Sequence, residues 1–275
     1  MKISVIGAMR GRVDLTIKSF DSLINQASSL DNFEIVCRWD DDDLDTVNAL
    51  REYYSDKKNL NIKFLTGERH GYYFLDRYYK DCIDNSDGDY LFLWSNDVVL
   101  STENKTHWDL ELQSLDGQFY LADFPMVINK EQLKRWPYNI AFPRKMIDLL
   151  HHKNFPNMMV DIWLLRFFRL NDIWIRFEST CDNYQVWSKG ADRDDVYTEG
   201  REAWDKGKLS GGKGGKNRGQ IASGQLDGWN HFLASDFYSV RDYLKSNPNT
   251  KQYETFKFYY CGEDYKYPKE EWTKV

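Results

Sequence analysis

The sequence predicts an α/β fold: a mostly parallel sheet flanked by helices, followed by a helical extension. Three observations carry this. Short apolar runs at residues 3–8, 33–39, 61–65 and 90–94 read as strands covered on both faces. The segments between them, 13–30, 44–54 and 72–83, place apolar residues at helical spacing. Each strand then runs into a short polar tip, and open α/β sheets gather their ligands at the carboxyl ends of strands.

Taken in order, the first strand ends in Met9-Arg10-Gly11-Arg12, a loop with two cations and a glycine. The helix after it carries Leu15, Phe20, Leu23, Ile24 and Ala27 on one side, with Asp14 near its start. A strand, a short Gly/Arg loop and a helix begin many nucleotide-binding βα units. The spacing is not GxGxxG, so the dinucleotide fingerprint is missing. Arg10 and Arg12 read either as solvated cations or as phosphate ligands. The second strand runs into Asp40-Asp41-Asp42-Asp43. Four adjacent carboxylates make a hydrated loop and a helix cap. Alternatively one of them, Asp40, meets a ribose hydroxyl or a base edge.

The third strand leads to Thr66-Gly67-Glu68-Arg69-His70-Gly71, and a tyrosine-rich helix follows. The turn at 85–89 feeds the fourth strand, which ends in Ser95-Asn96-Asp97. That tip reads as a plain polar strand end, or as a carboxylate that holds a divalent cation and, through it, a phosphate. The order β-α-β-α-β-α-β, each helix crossing to a parallel neighbour, brings the Arg10/Arg12 loop, Asp40, the Arg69 loop and Asp97 to one edge.

Composition narrows the function classes. A net charge of −6 gives no overall basic field, so nucleic acid is not an expected partner. Cys37, Cys82, Cys181 and Cys261 are far apart with no CxxC, which reads as reduced thiols of a cytosolic-type compartment. No apolar run is long enough for a signal peptide or a membrane span, and the expected location is cytoplasmic. Aromatics reach 16%, which core packing or a sugar- or base-binding cleft would each use.

The segments Ile3 to Arg12, the Asp40 region, Glu68-Arg69-His70-Gly71-Tyr72 and Gly88 to Asp97 together resemble the GT-A-fold glycosyltransferases of the family-2-like kind, which use nucleotide-diphosphate sugars. The resemblance covers roughly residues 1–200 in order. It implies a GT-A-like, Rossmann-related sheet with an acceptor-side helical extension. It also implies donor binding by Ala8, Arg10, Arg12, Asp40, Arg69, Ser95 and Asn96, and a metal, Mn²⁺ or Mg²⁺, at Asp97. In the family the last segment ends in Asp-x-Asp or Asp-Asp; here Ser95 replaces the first acid and Asn96 the middle one. Related enzymes often carry a metal- or diphosphate-binding His in a late loop; Asp182 is the nearest substitute here. Asp161 stands where the family often carries the general base, ahead of an apolar helix; it also suits a helix cap. The implied donor is a nucleotide sugar, most simply a UDP-sugar, and the acceptor a glycan hydroxyl.

Residues 1–100 then form a nucleotide-binding half and 101–200 an acceptor-side half, with 201–275 as a Gly/Lys loop and a C-terminal extension packed on the core. Beyond the tip at 97, the chain reads as a short helix around Trp108 and one or two strands at 119–128. A Pro-containing turn opening a helix follows at 142–152, then a helix at 160–168 and a strand at 173–178. Residues 207–213 meet GxxxxGK, but Gly214 stands where a P-loop needs Ser or Thr and no strand precedes. A flexible cationic loop or a lid remains. A last helix is expected at 235–246. Two other classes stay open: a non-catalytic glycan- or nucleotide-binding protein on the same scaffold, and a sugar nucleotidyltransferase.

Overall fold

The computed structural model describes residues 1–57, 59–71, 74–128, 131–132, 139–150, 160, 164, 168, 173–177, 179–183, 239–240, 242–243 and 246. The first half alternates as expected: β1 Ile3–Ala8, α1 Val13–Asn25, β2 Phe33–Asp40, α2 Leu44–Tyr54, β3 Ile62–Gly67, α3 Leu75–Asp84 and β4 Tyr90–Leu93. β1 lies between β2 and β4 and is parallel to both; β3 is parallel to β2 on the far side. All four strands therefore end at one edge of the sheet.

The rest of the described chain adds β5 Val98–Leu100, α4 Trp108–Gln113, β6 Leu121–Phe124, β7 Met126–Ile128, β8 Glu131–Gln132, β9 Asn139–Pro143, α5 Lys145–Leu149, β10 Trp174–Arg176 and β11 Cys181–Asn183. The main sheet has seven strands in the order β10-β6-β9-β4-β1-β2-β3, and β9 is antiparallel to both β4 and β6. A second sheet of four strands runs β5-β11-β7-β8. Pro125 separates β6 from β7, which lie in different sheets. Its carbonyl accepts the Cys181 amide at 2.9 Å, tying the start of β11 to this break.

The core has two layers, one on each face of the main sheet. Val5, Ile35, Cys37, Trp39 and Phe92 pack under α1, α2 and α4. Ile6, Val36, Leu91 and Leu93 pack under α3 and α5. Val160, Leu164 and Phe168 are helical and buried at a spacing of four, which is one helix stripe. Phe168 stacks on Phe119, and Tyr243, from helical residues near the C-terminus, meets the same ring at 5.1 Å between centroids.

Four local differences from expectation have visible causes. α1 stops at Asn25 instead of continuing to residue 30, because the chain turns there to serve a buried carboxylate on α4. Asp109 is fully buried and accepts from the Ser28 amide (2.8 Å), the Ser28 hydroxyl (2.6 Å) and the Asn32 side chain (2.7 Å). α3 begins at Leu75, after Gly71 takes a φ of +75° that a helix does not use. Residues 139–143, part of which was expected as a turn, form β9, with Pro143 at its last position where no further ladder bond is needed. Residues 181–183 form β11 instead of a loop, since β5 and β7 both offer free edges to it.

Burial alone would raise the pKa of Asp109, but hydrogen bonds from Asn32, Ser28 and two backbone amides outweigh it and hold the group below the usual carboxylate range. The sign follows: the stabilisation is complete above the unfolded value of about 3.9 and is lost as pH falls through the lower folded value. Asp109→Ala is expected to cost about 2–3 kcal/mol at neutral pH, because four donors lose their acceptor in a buried place. Urea melts of the two proteins should converge as pH falls through that lowered folded value; a gap that persists at the acid end would mean the loss is packing alone.

One contact fixes the spacing of the strand ends. A Cβ on Gly7 would lie 2.5 Å from the Trp94 carbonyl oxygen, and the Trp94 amide donates to the Ile6 carbonyl at 2.9 Å. β1 and β4 therefore stay locked together up to the point where their loops begin. α1 adds to this with small hydroxyl residues on its buried face: Trp94 Nε1 donates to Ser19 Oγ at 2.7 Å, and Leu100 N to Ser22 Oγ at 3.0 Å.

Candidate functional site

At the carboxyl edge, β1 gives way to a loop whose backbone is unusual. Ala8 is its last strand residue, partly buried and level with Arg38 of β2. Gly11 has a φ of +53°, and Arg12, a residue with a side chain, also sits in the left-handed region at φ 61°, ψ 47°. Such a conformation costs a non-glycine residue about 1–2 kcal/mol. The loop is held from both sides. Gly11 N donates to Asp43 Oδ2 at 2.6 Å, and the Arg12 carbonyl accepts the first bond of α1, from Thr16 N at 2.8 Å. Across the gap to β4, Arg12 donates to Asn96 Oδ1 at 3.2 Å, and Asn96 Nδ2 donates to the Arg10 carbonyl at 3.3 Å.

The end of β2 carries two buried charges, Arg38 and Asp40, on the face covered by α3. Arg38 lies over the Tyr78 ring at 4.1 Å and donates to Asp81 (2.8 Å), the Glu68 carbonyl (2.6 Å) and Asp40 (3.4 Å). Asp40 also accepts the Tyr78 hydroxyl at 2.5 Å and Arg10 at 2.9 Å, and Arg69 Nε approaches it at 3.9 Å. The Tyr78 hydroxyl in turn accepts the amides of His70 and Gly71, at 2.8 and 3.0 Å. One phenol therefore ties the loop after β3 to the end of β2. Burial and its bond to Asp40 raise the Tyr78 pKa, so it remains a donor.

Outside this buried cluster lies Asp42. Arg10 presents both terminal nitrogens to it, at 2.5 and 3.1 Å, and Arg69 a third donor at 3.2 Å. The hydrogen bond to Asp42 raises the Arg10 pKa, and the same bond lowers that of Asp42.

At the end of β4, Ser95 Oγ donates to Asp97 Oδ1, and Val98 N closes a turn on the Ser95 carbonyl at 3.2 Å. Asn96 and Asp97 are both buried. Among the described residues no group of three His, Cys, Asp or Glu gathers in a metal-binding cluster. What the tip offers is one carboxylate and one hydroxyl, hard oxygen donors that suit Mg²⁺ or Mn²⁺ when water and phosphate oxygens complete the shell.

The structure thus brings Ala8, Arg10, Arg12, Asp40, Arg69, Ser95, Asn96 and Asp97 to one sheet edge. Arg10 is the link, its side chain on Asp40 and its carbonyl on Asn96. The backbone of Asp182 lies in β11 level with Val99, and Asn183 is level with Val98, the residue after Asp97; the Asp182 side chain lies outside the described residues. Asp161, the histidines at 151–152 and the Gly/Lys segment at 206–219 also lie outside them. Sequence reasoning missed Arg38, Tyr78, Asp42 and Asp43 as parts of this site. A cation inside a strand whose other interior residues 35–39 are apolar was the available sign for Arg38.

No protein-family model and no curated protein sequence matches the chain. Solved structures do resemble it. The mannosyltransferase PcManGT from Pyrobaculum calidifontis, in complex with GDP-Man and Mn²⁺, has a TM-score of 0.53 at 12% identity, covering 91% of this chain and 88% of that one. S. aureus TarS 1-349 in complex with UDP-GlcNAc has a TM-score of 0.50 at 13% identity, covering 90% and 82%. Its complex with UDP has a TM-score of 0.50 at 12% identity, covering 87% and 89%. The chain has a GT-A-like fold, Rossmann-related, with a mixed and mostly parallel sheet.

Proposed function

We propose that the protein is a glycosyltransferase that moves a sugar from a nucleotide-diphosphate sugar to an acceptor hydroxyl. The observation that carries this is the meeting of three arginines from two loops, Arg10 and Arg12 after β1 and Arg69 after β3, with the Ser95–Asp97 tip at the carboxyl edge of the sheet. The GT-A-like fold, shared with a mannosyltransferase in complex with GDP-Man and with TarS in complex with UDP-GlcNAc, supports it.

In this reading Arg10, Arg12 and Arg69 hold the pyrophosphate, with the β1 end at Ala8 close beside it. Asp40 lines the nucleoside side and keeps Arg10 in place. Ser95 and Asn96 shape the tip, and Asp97 with Asp182 would hold Mg²⁺ or Mn²⁺. That cation, when bound, supplies charge neutralisation for the departing diphosphate. Asp161 takes the proton of the acceptor hydroxyl as its oxygen attacks the anomeric carbon and the bond to the diphosphate breaks. A UDP-sugar donor, a glycan acceptor and a cytoplasmic setting complete the reading. So does a division into a nucleotide-binding half (1–100), an acceptor-side half (101–200) and a C-terminal extension (201–275). No helix among the described residues is long and apolar enough to cross a membrane.

Ligand binding tests the reading first. UDP or GDP with Mn²⁺ is expected to raise the melting temperature, since a ligand at a hundred times its Kd stabilises by about 2.7 kcal/mol. Absence of a shift with every common nucleoside diphosphate at millimolar concentration would remove the proposal. Binding without transfer or donor hydrolysis would instead select a non-catalytic binding protein, a reading that the single carboxylate at 95–97 favours.

A further inference from the structure

We propose that Asp42 is an affinity-determining residue of this site, an internal competitor whose carboxylate occupies the Arg10–Arg69 anion clamp and must leave when a diphosphate enters. The inference rests on the donor-binding reading above and deepens it.

The geometry is that of a bound anion. Both oxygens of Asp42 face both terminal nitrogens of Arg10, at 2.5 and 3.1 Å, and Arg69 adds a third donor to one of those oxygens at 3.2 Å. Paired parallel donors of this kind are how arginine takes a carboxylate or a phosphate. The two aspartates that share Arg10 differ in a way that matters. Asp40 is buried and also holds Tyr78 and Arg38, so it is part of the framework. Asp42 lies on the turn between β2 and α2 with 44% of its side chain exposed, and among the described residues its side-chain contacts are these two arginines. It can swing into water at little cost, because exposed ion pairs are weak. When it does, Asp40 still anchors Arg10 from below, so the freed donors stay where an incoming phosphate meets them. The bond to Arg10 keeps Asp42 ionised through the neutral range, so the competition is present there.

The test measures the affinity of the full chain for UDP and for inorganic pyrophosphate by calorimetry, at fixed ionic strength. Asp42→Asn is expected to tighten binding about three- to fivefold, as loss of a weak competing pair allows. Asp41→Asn removes the same charge from the neighbouring exposed residue, which contacts neither arginine, and is expected to change affinity by less than about twofold, as screened surface charges do. Equal or weaker binding by Asp42→Asn, or an equal gain from Asp41→Asn, would overturn the proposal. If the unmodified protein binds UDP and Asp42→Asn gains nothing, the competitor alone fails and the donor site stands. If Asp42→Asn tightens pyrophosphate but neither protein binds UDP, the clamp stands and the nucleotide-sugar reading fails. If neither protein binds either probe, both fall.

Discussion

Asp40→Ala is expected to lower stability by about 3–5 kcal/mol, the usual result of removing one partner from a buried charge pair. The carboxylate is almost wholly buried, and so is Arg38, which faces it from two residues away on the same strand. Alanine leaves the Arg38 guanidinium with Asp81 and the Glu68 carbonyl, but takes the one acceptor it shares with Tyr78 and Arg10. The phenol then faces Arg38 with no acceptor for its own proton, while still receiving the amides of His70 and Gly71. The loop after β3 should loosen along with the end of β2. For a chain of this size the loss corresponds to a fall of roughly 6–20 °C in Tm, read by calorimetry or circular dichroism. Asp40→Asn keeps an acceptor for Tyr78 and should recover part of the loss. A change below about 1 kcal/mol in Asp40→Ala would mean that the arginines find other acceptors and that the cluster is not a framework.

The second large effect is on turnover. Asp97→Ala is expected to reduce sugar transfer by at least about a hundredfold, since a bound cation is worth several kcal/mol to a departing diphosphate. The fold should survive. Among the described contacts, the Asp97 side chain gives up one hydrogen bond, from Ser95 Oγ, and a single bond of this kind is worth about 1 kcal/mol. The part of the UDP-induced rise in Tm that depends on Mn²⁺ should vanish, while the part seen with UDP alone stays. Transfer that persists in Asp97→Ala would take the metal away from the tip at 95–97 and break the assignment.

The donor half of the fold was legible because its signals are local. Short apolar runs and period-3.6 patterns, with a polar turn after each strand, suffice to order four parallel strands, and that order alone brings Arg10, Asp40, Arg69 and Asp97 to one edge. The pairings within the edge were not legible. Nothing near Asp40 in the sequence points to Tyr78, which reaches it only because α3 crosses the face of β2. Nothing near Asn25 shows that α1 must stop there, since the cause, Asp109, lies far along the chain on α4. β9 and β11 were hidden for another reason. One ends in Pro143 and the other is the polar trio Cys181-Asp182-Asn183, and both become strands because neighbouring edges need partners. Of the two acids expected to act late in the chain, Asp182 is placed by backbone register alone and Asp161 lies outside the described residues.

The close approach at Gly7 has a mechanical consequence. Because the Trp94 carbonyl fills the space a side chain would take, the arginine loop and the serine-asparagine-aspartate turn ride on one rigid jaw. Any gating of a cleft between them cannot come from these two strands sliding apart. The spacing of the two loops is set by a single missing methyl group.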